Sequence, residues 1–185
     1  MEYLDIRTED GELTGKIKER TQVHTDGDIH GTSHVWLVRY KDKDKKKFDI
    51  LLQKRAATKD AYAGCYDISS AGHIPAGQDY LESAVRELKE ELGITADPKK
   101  LKFIGMHDGI MEAVFDGKPF KNHELSAVYI YDEPVKDSDF KLQEEEVESV
   151  RWIDFDECKN KLWTGEIRNC IFESEFKMLE KAIRG

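Results

Sequence analysis

An α/β protein of the α+β kind, an α/β/α sandwich around a mixed central sheet, is the fold that the 185-residue sequence predicts. Three observations carry this. Short β-rich runs recur between Tyr3 and Phe155, two segments repeat apolar residues at helical spacing, and strands and helices interleave along the chain. With 39% hydrophobic residues, no internal repeat and no low-complexity linker, residues 1–185 are expected to form one domain.

Taken in order, Tyr3 to Arg7 reads as a short strand, followed by a turn at Glu9-Asp10-Gly11 and a polar, paired segment from Leu13 to Arg20. His34 to Tyr40 and Phe48 to Lys54 are rich in β-branched and aromatic residues, and the charged stretch Lys41 to Lys47 between them reads as the solvated tip of a hairpin. A helix is predicted from about Tyr80 to about Leu92. Asp79 and Glu82 have the spacing of a capping box, and Gly93 stands where a left-handed residue ends a helix. Leu81, Ala84, Val85, Leu88 and Leu92 fall within an arc of about 100°, the stripe of a packed helix. Leu101 to Gly105 and Leu125 to Tyr131 read as strands with a polar connection, and Val147 to Phe155 as another strand. The 4-3-4 spacing of Phe172, Phe176, Leu179 and Ile183 predicts a closing amphipathic helix.

The net charge of −9 argues against a grip on nucleic-acid backbone, which needs a basic surface to release counterions. A small anionic molecule whose charge is masked by metal is the expected partner. Cys65, Cys158 and Cys170 are odd in number and widely spaced, which suits neither a disulfide framework nor a zinc knuckle. The first ten residues lack an apolar signal core and no run approaches a membrane span, so a cytoplasmic location without membrane contact is expected. Oligomeric state is left open, a homodimer included.

Chemistry concentrates between Gly72 and Ile94. Glu87, Glu90 and Glu91 share an arc of about 100° on the predicted helix, off the apolar stripe. Three carboxylates so close repel one another unless cations neutralise them, and hard oxygen donors at this density suit Mg²⁺ or Mn²⁺. Lys-Glu-Glu on a helix is by itself an ordinary solvated face. Here a glycine loop with Gly72 and Gly77 precedes it, where backbone can turn and a diphosphate can approach the main chain.

The run from Gly72 through Arg86-Glu87-Leu88-Lys89-Glu90-Glu91-Leu92-Gly93-Ile94 resembles the Nudix box, Gx5Ex7REUxEExGU with U apolar, at every fixed position but one. Gln78 stands where the pattern has glutamate. The resemblance implies a Nudix-type sandwich and a metal-dependent pyrophosphohydrolase that cleaves a diphosphate bond in a small molecule by water attack at phosphorus. It also implies site residues. Glu87, Glu90, Glu91 and the main-chain carbonyl of Ala71 hold Mg²⁺ or Mn²⁺. Glu87 takes the proton from water, with Glu146 and Glu124 as further candidates, and Gly72, Gln78, Arg86 and Gly93 are structural. In place of the ion pair, Gln78 is expected to hydrogen-bond Arg86.

A second likeness covers most of the first 130 residues. Lys59 to His73 and His24 to His30 look like the corresponding segments of isopentenyl-diphosphate isomerases. That likeness implies a metal site that maps onto His24, His30, His73, Asn122 and Glu124, with asparagine replacing one carboxylate. His34, His107 and His123 read as packing or hydrogen-bonding residues. Isomerases carry a cysteine where this chain has Ala71, and alanine exchanges no proton with carbon, so hydrolysis is favoured. Lys54, Arg55 and Lys59 are candidate phosphate clamps, and Trp163 a candidate cover for an apolar or aromatic group of the substrate. Two alternatives stand beside the hydrolase: an isomerase using another acid such as Cys65, and a catalytically silent diphosphate-binding module.

Overall fold

The computed structural model describes residues 1–59, 61–115 and 117–185, with Lys118 described by its backbone alone. The chain organises around β3 (Ile29–Tyr40), a strand buried along most of its length. Its alternation explains the layers. Val35 and Leu37 point to one face, where Ala84, Leu88 and Leu92 of α2 (Tyr80–Leu92) pack on them. Trp36 and Val38 point to the other, against Phe155 of α3 (Phe155–Trp163) and Phe176 and Leu179 of α4 (Glu173–Arg184). The mixed sheet is thus covered on both sides, as the sequence predicts.

β3 forms the predicted hairpin with β4 (Phe48–Arg55), and β9 (Val147–Asp154) adds antiparallel to β4. On its other edge β3 runs parallel to β8 (Lys118–Tyr131), from Ile29 beside His123 to Leu37 beside Tyr131. This pairing, between strands distant in sequence, curls the sheet around the N-terminal half of β3. There it also meets β1 (Tyr3–Arg7), itself paired with β2 (Leu13–Glu19), and β6 (Ser70–His73). The short β5 (Tyr66–Asp67) lies against β4.

Several expectations change. Residues 106–124 are not a polar connection: β7 (Lys102–Phe115) and β8 are two long strands of one hairpin. Their polar residues alternate with apolar ones because one face of the ribbon is solvated. Two helices, α1 (Arg20–Asp26) and α3, lie outside the two predicted, both too short to show a helical period. At α2 the bounds agree with expectation. The Asp79 side chain accepts from the Glu82 amide at 2.7 Å, and Gly93 closes the helix at φ 76°.

Candidate active site

One cleft of about 1260 Å³ opens at the curled end of the sheet, and its walls gather residues from α1, β3, β6, β8 and α2. β6 places Ala71, Gly72 and His73 across from α2. Gly72 is required by closeness rather than by an unusual backbone angle, since a Cβ there would overlap the Glu87 carboxylate. Gly77 does have φ 83°, as the turn before α2 demands.

The three glutamates part company. Glu91 lines the cleft and is buried, accepting from the Ser70 hydroxyl at 2.7 Å and the Ala71 amide at 3.2 Å. Burial first, and the neighbouring Glu87 charge second, push its carboxyl up to about 8. Glu87 packs on Gly72, and burial raises its carboxyl too, against the opposing pull of Arg86 at 2.7 Å. Glu90 is turned toward solvent and held by Arg86 at 2.8 Å, outside the cleft.

Arg86 also donates to the His73 carbonyl at 3.1 Å, which is how the box arginine ties loop to helix. Gln78 takes no part in this. Its side-chain oxygen faces the Ser83 hydroxyl at 3.5 Å, so the expected Gln78–Arg86 hydrogen bond is replaced by the two glutamates and the carbonyl that surround the guanidinium.

The histidines that the sequence scatters do meet. One ring nitrogen each of His24, His30 and His73 lies within 4.8 Å of the others. Their convergence follows from topology: His24 rides on α1, His30 opens β3 beside Glu124 of β8, and His73 pairs with Thr32. The Asp28 carbonyl sits 3.0 Å from His30 Nδ1, so that nitrogen carries the proton and leaves Nε2 as a free acceptor. His24 Nδ1, His30 Nε2, His73 Nε2 and Asn122 Oδ1 are buried without a hydrogen-bond partner among the described residues. Glu124 stands 4.0 Å from His30 and 3.9 Å from His73. Burial drives His24 down to about 4 and lowers His30 and His73, so all three rings are neutral near pH 7, as metal ligands must be.

The basic residues of the cleft are already partnered. Arg55 pairs with Asp67 at 3.2 Å and donates to the Ala61 carbonyl, Lys59 pairs with Glu146, and Arg20 meets Glu2 at 3.0 Å. Lys54 lies off the cleft, paired with Glu148. Trp163 sits at the end of α3, edge-on to Phe176 with centroids 5.9 Å apart, and does not line the cleft. The ring, 40% exposed, thus sits away from the cleft rather than beside it as the sequence expects. Cys65 is buried and lies outside the cleft lining as well.

One network escaped the sequence reading. His34 lines the cleft with its Nδ1 2.9 Å from Glu175 of α4, whose other oxygen accepts from Trp36 at 2.9 Å. Burial alone opposes a charge on His34, but the Glu175 carboxylate outweighs it and the imidazole is pushed up to about 9. A signal was present: His30, Thr32 and His34 recur with period two, the spacing that puts side chains on one face of a strand.

Residues 30–172 match the family model described as the NUDIX domain. The chain is 39% identical over 161 residues to "Nudix hydrolase 3" of Arabidopsis thaliana, covering 86% of this chain and 20% of that protein. This chain therefore spans about a fifth of the plant protein's length. It is 40% identical over 156 residues to an uncharacterized Nudix hydrolase of Clostridium acetobutylicum, covering 84% of this chain and 71% of that one. In fold it is similar to a protein of Deinococcus radiodurans solved by crystallography, with a TM-score of 0.64 at 14% identity over 95% of this chain and 98% of that one.

Proposed function

The chain belongs to the Nudix hydrolase family, whose enzymes cleave pyrophosphate bonds, and from that premise we propose that it is a divalent-metal-dependent pyrophosphohydrolase. Its substrate is a small organic diphosphate, a nucleoside diphosphate linked to another moiety or a related compound. Residues 1–185 act as one unit, which we place in the cytoplasm; among the described residues no helix is long and apolar enough to cross a membrane.

The observation that carries this reading is a charge imbalance. Glu91 is buried with Glu87 half-buried beside it, and among the described residues no lysine or arginine forms an ion pair with Glu91. A diphosphate entering the same cleft meets cations that carboxylates already hold. Both imbalances are relieved by divalent cations, for which oxygen donors fit Mg²⁺ or Mn²⁺. Glu87, Glu90 and Glu91, with the Ala71 carbonyl, would hold them, Glu90 coming from its pairing with Arg86. Bound there, a divalent cation would offset phosphoryl charge and lower the pKa of a water, so that the hydroxide left by proton transfer could attack phosphorus as the bridging P–O bond of the diphosphate breaks. Glu87 takes the proton, and its burial raises its basicity for that task. Arg86 keeps β6 and α2 in register so that this carboxylate faces Gly72.

The histidine cluster supports a second cation. Three neutral imidazoles with free acceptor nitrogens, joined by Glu124, are a donor set for Zn²⁺ or Mn²⁺, and Asn122 adds an unpartnered carbonyl oxygen. Proton exchange at carbon finds no support at Ala71, which has no acidic group.

The test is a panel of organic diphosphates with Mg²⁺ or Mn²⁺, reading phosphorylated products by mass spectrometry. Metal-dependent cleavage is expected, with Glu87→Gln and Glu91→Gln each lowering kcat by at least about 10²-fold as a metal-stabilised transition state loses a ligand. Near-normal turnover in both folded variants would refute the assignment.

A further inference from the structure

Three separate segments build an apolar wall of the cleft. Tyr62 comes from the turn between β4 and β5, Met111 and Phe115 from β7, and Phe120 from β8; all four are half-buried and line the cavity that Glu91 and His73 also line. Phe115 meets Tyr62 edge to face at 5.1 Å and Phe120 at 5.5 Å. Phe120 stacks on His24 at 4.5 Å, so the wall begins where the histidine cluster ends.

The polar character of this wall is low. Its one hydroxyl, on Tyr62, donates to the Met111 sulfur at 2.8 Å. Tyr62 also adopts φ 53°, the left-handed region that an L-aromatic residue rarely occupies. The same turn made with glycine or asparagine would be less strained, so the tyrosine is explained by where its ring goes. Strain of this kind persists where surrounding structure holds a residue at a functional site. Half-buried aromatic rings around a concave site gain their remaining burial when a ligand covers them.

Resting on the diphosphate reading above, we propose that Tyr62, Met111, Phe115 and Phe120 form the specificity subsite for an uncharged apolar group, ring or chain, carried on one side of the diphosphate. A sugar offers this wall hydroxyls that it has few groups to meet. The structure thereby moves the apolar cover from Trp163, where the sequence places it, to the β7–β8 hairpin and the turn after β4.

Binding of hydrolysis-resistant methylenebisphosphonate monoesters, measured by calorimetry with Mg²⁺ present, tests this without relying on turnover. The methyl, hexyl, benzyl and ribosyl esters are compared. Each methylene that becomes buried strengthens binding about fourfold. The hexyl or the benzyl ester is therefore expected to bind at least tenfold tighter than the methyl ester, and whichever gains more tells chain from ring. Phe115→Ala should cut that advantage to under about threefold. Phe115→Leu, the safer variant for folding, should retain an intermediate advantage. Equal affinity across the series, tightest binding of the ribosyl ester, or an advantage untouched in both variants overturns the subsite. Preference for apolar esters without hydrolysis of any organic diphosphate would sink the hydrolase reading and leave the subsite. Hydrolysis without such preference does the reverse, and failure of every ester to bind with no organic diphosphate hydrolysed overturns both.

Discussion

Without metal, the protein should lose stability as pH rises through the titration of Glu91. An unfolded glutamate ionises near 4.5, whereas burial, and then Glu87, hold this carboxyl at about 8 in the fold. Between those values the folded chain binds a proton that the unfolded chain has released, so stability falls as pH rises. The contribution is complete below pH 4.5 and gone above about 8. At about 1.36 kcal/mol per tenfold change in proton affinity the upper bound is roughly 5 kcal/mol, on the order of 10 °C in Tm for a chain of this length. A divalent cation at Glu87 and Glu91 favours the ionised forms, so Mg²⁺ should recover most of the loss at pH 8.5 and little at pH 5. Thermal melts by circular dichroism between pH 5 and 8.5, in chelator and then in millimolar Mg²⁺, measure both effects. Glu91→Gln removes this carboxyl, leaving Glu87, and should show a flatter profile with a smaller response to metal. If wild type and Glu91→Gln fall in parallel with pH, the buried carboxylate is not the source and the metal argument loses its electrostatic basis.

Two further outcomes follow from particular contacts. The His34 imidazole should remain protonated at pH 8 by NMR, and Glu175→Gln should lower its titration toward the usual 6.5, because burial is then opposed only by the weaker pull of Glu124 and Asp67. Its contribution to stability is present below pH 6.5 and lost as pH rises through about 9, so the variant should also flatten that part of the profile; an unchanged His34 titration would refute the pairing. Gly72→Ala should cost about 1–3 kcal/mol by overpacking against Glu87, and the cost should shrink in a Glu87→Ala background; equal costs in both backgrounds would show that Glu87 is not what Gly72 accommodates.

The signals legible along the chain are local ones. α2 could be bounded because its signals, Asp79, the apolar stripe and Gly93, all lie within one turn of the helix they define. The β3–β4 hairpin was legible for the same reason, since strand and tip chemistry sit side by side. The glutamates proposed to hold metal could be named from helical spacing, and the histidines from likeness to a related family. Tertiary structure decided what those groups touch. Whether Glu90 faces the cleft or Arg86, and whether Gln78 reaches Arg86, depends on β6, whose His73 carbonyl competes for the guanidinium from outside the helix. The parallel pairing of β3 with β8 brings His30 to Glu124, and the closing helix brings Glu175 to His34; the period-two spacing of His30 and His34 sets both on one face of β3 but does not say what meets them. The apolar wall shows the limit most plainly: its aromatic residues come from segments with no shared periodicity, and only folding the β7–β8 hairpin over the turn at Tyr62 sets them against one another.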